Sequence, residues 1–120
     1  KIRFDDLRPA LIRRILKRGV PIMTGLSATY LYQARRELPD TGTPDDIRGA
    51  PTGHFVVVSG YDRTTKLVHV ADPYEWNPMG GQRYYSVDLH RLIGAVLLGT
   101  LTYDANLLVI ELPRRRRWLR

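Results

Sequence analysis

Two side chains in this sequence have the types and the spacing for proton-transfer chemistry. His54 stands at the head of a β-rich run directly after the turn-forming Pro51-Thr52-Gly53, and Asp72 closes the next such run just before Pro73. Between the runs, Asp62-Arg63-Thr64-Thr65-Lys66 is polar and reads as a hairpin loop. Centring the hairpin on Thr64 sets Val58 opposite Val70, Val56 opposite Asp72, Gly60 opposite Val68 and Tyr61 opposite Leu67, so apolar residues face apolar ones over most of the ladder. His54 and Val56 share a face because strand side chains alternate. His54 and Asp72 are then diagonal neighbours, roughly 7 to 8 Å apart at the backbone. A carboxylate at that distance can hold an imidazole in one orientation, and a ring so held is a general base for a nearby nucleophile. Taken singly, a histidine that starts a strand and an Asp-Pro that ends one are ordinary punctuation. The shared face argues for a working pair, and His54 with Asp72 is the expected catalytic dyad.

The chain itself has no thiol to offer as the nucleophile, since it contains 0 cysteines. That composition also excludes a disulfide scaffold and a zinc–thiolate site. His54, His69 and His90 lack any two-histidine ligand spacing, so no metal is expected, and no other cofactor. No glycine loop of the phosphate-cradling kind is present, which argues against an acetyltransferase or a nucleotide-binding enzyme. Asp45-Asp46 is a second acidic pair but has no visible partner, and it reads as two solvated loop carboxylates.

A formal net charge of +7 invites a nucleic-acid reading. Its distribution argues otherwise, because Arg114 to Arg117 and Arg120 supply five of those charges and form a basic tail at 114–120. A nucleic-acid site needs basic residues spread over a folded face and interleaved with aromatics, whereas Trp118 is the only aromatic in the tail. No apolar run approaches a membrane span, and Leu92 to Leu101 is short and contains two glycines, so a protein free of the membrane, cytoplasmic in location, is expected.

The elements that must position the dyad alternate along a chain of 120 residues, enough for one domain. Asp5 or Asp6 is the expected cap of a first helix with Pro9 in its first turn and Leu7, Leu11, Ile12, Ile15 and Leu16 as its stripe, ended by Gly19 and Pro21. Val20 to Thr24 reads as a short strand. Leu26 to Glu37 fits a helical face through Leu26, Tyr30, Ala34 and Leu38, although Tyr30 and Tyr32 also fit alternation; helix is the preferred reading. Residues 39–52 form a surface loop leading to His54, and 75–83 another beside Asp72. Ser86 is the expected N-cap of a helix from Val87 to Ile93 with His90 exposed. Ala95 to Thr100 and Leu107 to Leu112, joined by Tyr103-Asp104-Ala105-Asn106, read as a second hairpin. The expected class is α+β, an antiparallel sheet with packing helices.

The strand after Gly19-Val20-Pro21, then GHFVVVSGYD, VADPYEWNP, YYSVDLHRLIGAVLLG and TYDANLLVIELP, together resemble the papain-like bacteriocin-processing, or double-glycine leader, peptidases, cysteine peptidase family thirty-nine. The similarity is greatest to a bacterial branch that accompanies or is fused to acetyltransferase and ATP-grasp modules. It spans Asp5 to Pro113 and is specific at Gly53 to Val58 and at Ala71 to Pro73, looser elsewhere. By that resemblance His54 matches the family's catalytic histidine and Asp72 its orienting aspartate. The family's glutamine and cysteine lie upstream, on a helix that this chain does not contain. The resemblance therefore implies that residues 1–113 are a peptidase-like domain, the C-terminal half of a papain-like fold, without its cysteine-bearing part. A chain that starts at Lys1 inside an amphipathic helix, without an initiator methionine, reads as a fragment or a processed piece. The implied partners are a peptide or protein substrate and an upstream cysteine-containing segment or second chain. A peptide-binding module of the same fold that does not cut is the alternative. Loss of the upstream half would uncover the Leu7-Leu11-Ile15 stripe and the Val56, Val58, Val68 and Val70 face, and would favour a homo-oligomer.

Overall fold

The computed structural model describes residues 1–113; the basic tail at 114–120 lies outside the described residues. Five strands form one antiparallel sheet: β1 (Ile22–Ser27), β2 (Gly53–Tyr61), β3 (Leu67–Ala71), β4 (Tyr84–Asp88) and β5 (Leu107–Val109), in the order β4-β3-β2-β1-β5. Three helices among the described residues, α1 (Pro9–Lys17), α2 (Ala28–Tyr32) and α3 (Leu89–Leu98), accompany them, with a short 3-10 turn at Gly99–Thr102. Alternation decides which side of the sheet is inward. Ile22, Thr24 and Leu26 of β1, Val56 and Val58 of β2, and Val68 and Val70 of β3 are almost wholly buried, and they pack with Ile12, Ile15 and Leu16 of α1 and Leu89, Leu92, Ala95 and Val96 of α3 in one core. No helix among the described residues is long and apolar enough to cross a membrane.

The valine face is thus covered by the chain's own α1 and α3. It does not wait for an upstream half, contrary to the expectation above. The residues that stay open lie on the other side of the sheet, where Met23, Phe55, Tyr84 and Leu108 are exposed.

The hairpin between β2 and β3 keeps Val58 opposite Val70, as its centring on Thr64 requires, and Val57 opposite Ala71. Beyond Val58 the register slips. Gly60 faces His69 and Tyr61 faces Val68, because an irregularity at Ser59 inserts an extra residue on β2. The bulge carries physical sense. Without it Gly60 would fall on the inward side, whereas with it Tyr61 packs against the core beside Val68. The slip lies on the turn side of Val58 and leaves the His54 end of the ladder in the expected register.

Several boundaries differ from the sequence reading. Neither Asp5 nor Asp6 caps α1: Pro9 forces Arg8 into an extended conformation, the helix starts at the proline, and Asp6 pairs with Arg8 at 2.7 Å. β1 runs on to Ser27, so Leu26 is a strand residue, and α2 is only a turn and a half, capped by Ser27 and stopped by Gln33 in the left-handed region (φ 54°). Ser86 is not a cap but lies within β4. Asp88 caps α3 instead, accepting from the backbone N–H of His90 at 2.8 Å and Arg91 at 3.3 Å. The second hairpin does not form either. Ala95 to Leu98 continue α3, because Ala95 and Val96 extend the buried stripe of Leu89 and Leu92 at helical spacing, and an apolar run alone does not separate a buried helix from a strand.

β5 instead joins β1, with Ile22 opposite Val109 and Thr24 opposite Leu107, and Thr24 Oγ1 donates to the Asn106 carbonyl at 2.9 Å. The turn before β5 lies flat on β1. At Gly25 an added Cβ would overlap the Asp104 carbonyl oxygen and lie 2.8 Å from Asp104 Cβ. Gly25→Ala is therefore expected to cost about 1 to 3 kcal/mol and to loosen β5. Hydrogen exchange at Leu107 to Val109 together with a thermal melt checks this, and a melting temperature equal to that of the unsubstituted chain would contradict it.

Candidate functional site

The strand geometry assembles the site at one end of the inner face. His54 lies on β2 opposite Leu26, on the same side as Val56. Asp72 follows β3 by one residue and continues the inward Val68, Val70 series. Tyr85, opposite Val70 on β4, shares that side, and Tyr32 arrives from the last residue of α2. The Asp72 backbone N–H donates to the Arg83 carbonyl at 2.7 Å, closing the base of the loop 73–83. Buried Asn77 holds that loop from within, donating to the Tyr74 and Gln82 carbonyls and accepting from the Met79 N–H.

His54 Nε2 is 2.8 Å from Asp72 Oδ1. Oδ1 also accepts from the Tyr74 backbone N–H at 2.9 Å, and Oδ2 accepts from the Tyr32 and Tyr85 hydroxyls, both at 2.7 Å. Four donors therefore converge on a carboxylate that is 2% exposed. A buried carboxylate is tolerated only with such partners. Burial by itself would push the Asp72 carboxyl up, but the hydrogen bonds from Tyr85, His54, Tyr32 and the Tyr74 backbone outweigh it and hold the group below the usual carboxylate range. An ionised carboxylate only accepts, so the shared proton is assigned to His54 Nε2. Nδ1 makes no hydrogen bond among the described residues and is left as the basic nitrogen. The rings of Tyr32 and Tyr74 flank the imidazole at centroid distances of 6.3 and 6.4 Å. Beside it opens a cleft of about 450 Å³ walled by Tyr32, Thr52, His54, Pro73 and Tyr74.

Burial first, and then donation to Asp72, push the Tyr32 and Tyr85 phenols well above the ordinary tyrosine value. The unfolded chain therefore loses these two protons at lower pH than the folded one. Their contribution is complete below the unfolded value of about 10 and is lost as pH rises above it. In an absorbance titration Tyr32 and Tyr85 should ionise only as the fold is lost, and Tyr32→Phe with Tyr85→Phe should remove that late phase. Its persistence in the double variant would assign it to other tyrosines.

The remaining candidates fall elsewhere. Asp45 accepts from the backbone N–H groups of Arg48 and Ile47, and Asp46 from the Arg35 side chain and the Arg36 backbone, which hold both carboxyls below the usual range. Both shape the 39–52 loop and neither reaches His54. His69 Nδ1 lies 2.9 Å from Ser86 Oγ on the outer side of the sheet, and His90 is exposed in the first turn of α3. Among the described residues no group of three or more His, Cys, Asp and Glu side chains could hold a metal ion.

Sequence reasoning brought His54 and Asp72 together but missed Tyr32, Tyr85 and Asn77. The alternation of Tyr85 and Val87 marked a strand next to β3, a signal overridden by reading Ser86 as a cap.

A family model described as the Peptidase_C39 like family matches residues 9–92, a span that contains Tyr32, His54, Asp72 and Tyr85. No curated protein and no solved structure matches the chain. The antiparallel sheet with its packing helices agrees with the α+β architecture of a papain-like domain of this kind. The match covers well over half of the 120 residues, and the chain belongs to the Peptidase_C39 like family.

Proposed function

We propose that this chain supplies the general base, His54, and its orienting carboxylate, Asp72, for cleavage of a peptide bond by a cysteine thiolate contributed from outside the 120 residues, by an upstream segment or a second chain. The observation that carries the reading is the buried Asp72 carboxylate, which engages His54 Nε2 and leaves Nδ1 without a hydrogen bond among the described residues, at the edge of a cleft. A thiol placed against Nδ1 gives up its proton to the ring, and Asp72 stabilises the imidazolium by charge without taking the proton itself. The thiolate attacks the peptide carbonyl carbon, with the developing oxyanion bound by a donor such as an upstream glutamine side chain. As the C–N bond breaks, the imidazolium returns its proton to the leaving amine. Water, deprotonated by the same ring, then hydrolyses the thioester. A cytoplasmic setting keeps such a thiol reduced.

The 120-residue chain alone is expected neither to hydrolyse peptides nor to react with iodoacetamide, whereas a protein extended by, or combined with, the cysteine-bearing part is expected to do both. Peptide turnover by the chain alone would overturn the proposal. The second reading, a peptide-binding module, is favoured by the lack of cysteine beside an intact cleft. An extended protein that binds peptide and leaves it uncut would select it.

A further inference from the structure

The Asp72 carboxylate is engaged on both oxygens, and only one of them faces the histidine. Oδ1 meets His54 Nε2 and the Tyr74 N–H, whereas Oδ2 receives two phenols at 2.7 Å from elements that are far apart in sequence, α2 and β4. Held on Oδ1 alone, a carboxylate can turn about its Cβ–Cγ bond and exchange the histidine for water from the neighbouring cleft. Two donors converging on the other oxygen fix its plane. Phenols suit this position because they donate strongly, are neutral, and keep Asp72 the anion that an imidazolium would need.

We infer that Tyr32 and Tyr85 are positioning residues of the dyad, fixing the Asp72 carboxylate through Oδ2 so that Oδ1 stays aimed at His54 Nε2 and Nδ1 stays available as the proton acceptor. The inference rests on the proposed role of His54 as a base, and it extends that role to a four-residue assembly drawn from α2, β2, β4 and the end of β3. Phenylalanine at either position keeps the ring and its packing and removes only the donor.

The test follows the His54 Nε2–H proton by nitrogen-edited NMR on the 120-residue chain at a pH where the ring is neutral. In the unsubstituted chain this proton should be visible and protected from solvent. In the Tyr32→Phe/Tyr85→Phe double variant its exchange should be faster by roughly 10- to 100-fold, the loss expected for a hydrogen bond to a charged group, while amide protection in β1, β2 and β3 is retained. Each single variant leaves one donor on Oδ2 and should show a smaller increase. Should the double variant fail to fold, the single variants decide. Exchange equal to that of the unsubstituted chain, in a folded double variant or in both single variants, would overturn the positioning role. An unprotected proton in the unsubstituted chain would overturn the dyad as well, whereas failure of the extended protein to cleave peptides would defeat the peptidase reading and leave this result standing.

Discussion

Asp72→Ala is expected to destabilise the fold by about 2 to 4 kcal/mol at neutral pH, more than any other single truncation at the site, because the hydroxyls of Tyr32 and Tyr85, His54 Nε2–H and the Tyr74 N–H all lose their acceptor at once. Water entering from the cleft limits the loss, and it keeps the figure below the sum of four buried unpaired donors. Asp72→Asn should be milder. Its amide can still accept from His54 through Oδ1 and can donate to the two phenol oxygens, so that mainly the charge is lost. The pH dependence has a definite sign. The folded-state carboxyl lies below its unfolded value of about 3.9, so the unfolded chain binds the proton first. The stabilisation is complete above that value and is lost as pH falls through it toward the folded-state value. Urea melts of the chain and of Asp72→Ala should therefore converge as the solution is acidified below about pH 4. A gap that is the same at pH 3 and pH 7 would mean that folding leaves the Asp72 carboxyl at its unfolded value, and would contradict the account of its four donors.

His54→Ala should lower kcat/KM for peptide cleavage by the cysteine-containing protein by at least about a thousandfold, within the range that a positioned general base supplies. The loss should appear in kcat, with KM nearly unchanged, because the ring acts on the thiol and the leaving amine and contributes one wall of the cleft among several. Folding should survive the change. His54 is half-buried at the rim of the core, so its removal leaves no large internal cavity. A decrease of less than tenfold would assign the base role to another group.

The dyad was legible because strand alternation and a short polar turn fix a register, and a register fixes which side chains are diagonal neighbours. The bulge at Ser59 was only half legible: Gly60 beside it is a residue that often marks a bulge, but a glycine fits the unbroken register as well, and the packing of Tyr61 on the core decides for the slip. The Tyr32 and Tyr85 donors escaped notice for a different reason. Their roles depend on α2 stopping at Tyr32 and on β4 lying beside β3, whereas the helical fit of Ala34 and Leu38 carries the helix past Tyr32 and the cap reading of Ser86 hides the strand. At the C-terminal end, Ala95 to Leu98 is an apolar run that suits a buried helix and a strand equally, and α3 prevails because its stripe continues onto the core already formed by Leu89 and Leu92.

The titration of the supplied cysteine thiol against iodoacetamide, with His54 present and with His54→Ala, bears most directly on the claim that this chain provides the base. With His54 in place the thiol should react as a thiolate well below its ordinary value of about 8.5, and the substitution should return it to that value. A thiol that titrates near 8.5 in both proteins would contradict the account, since His54 and Asp72 would then have no nucleophile to activate.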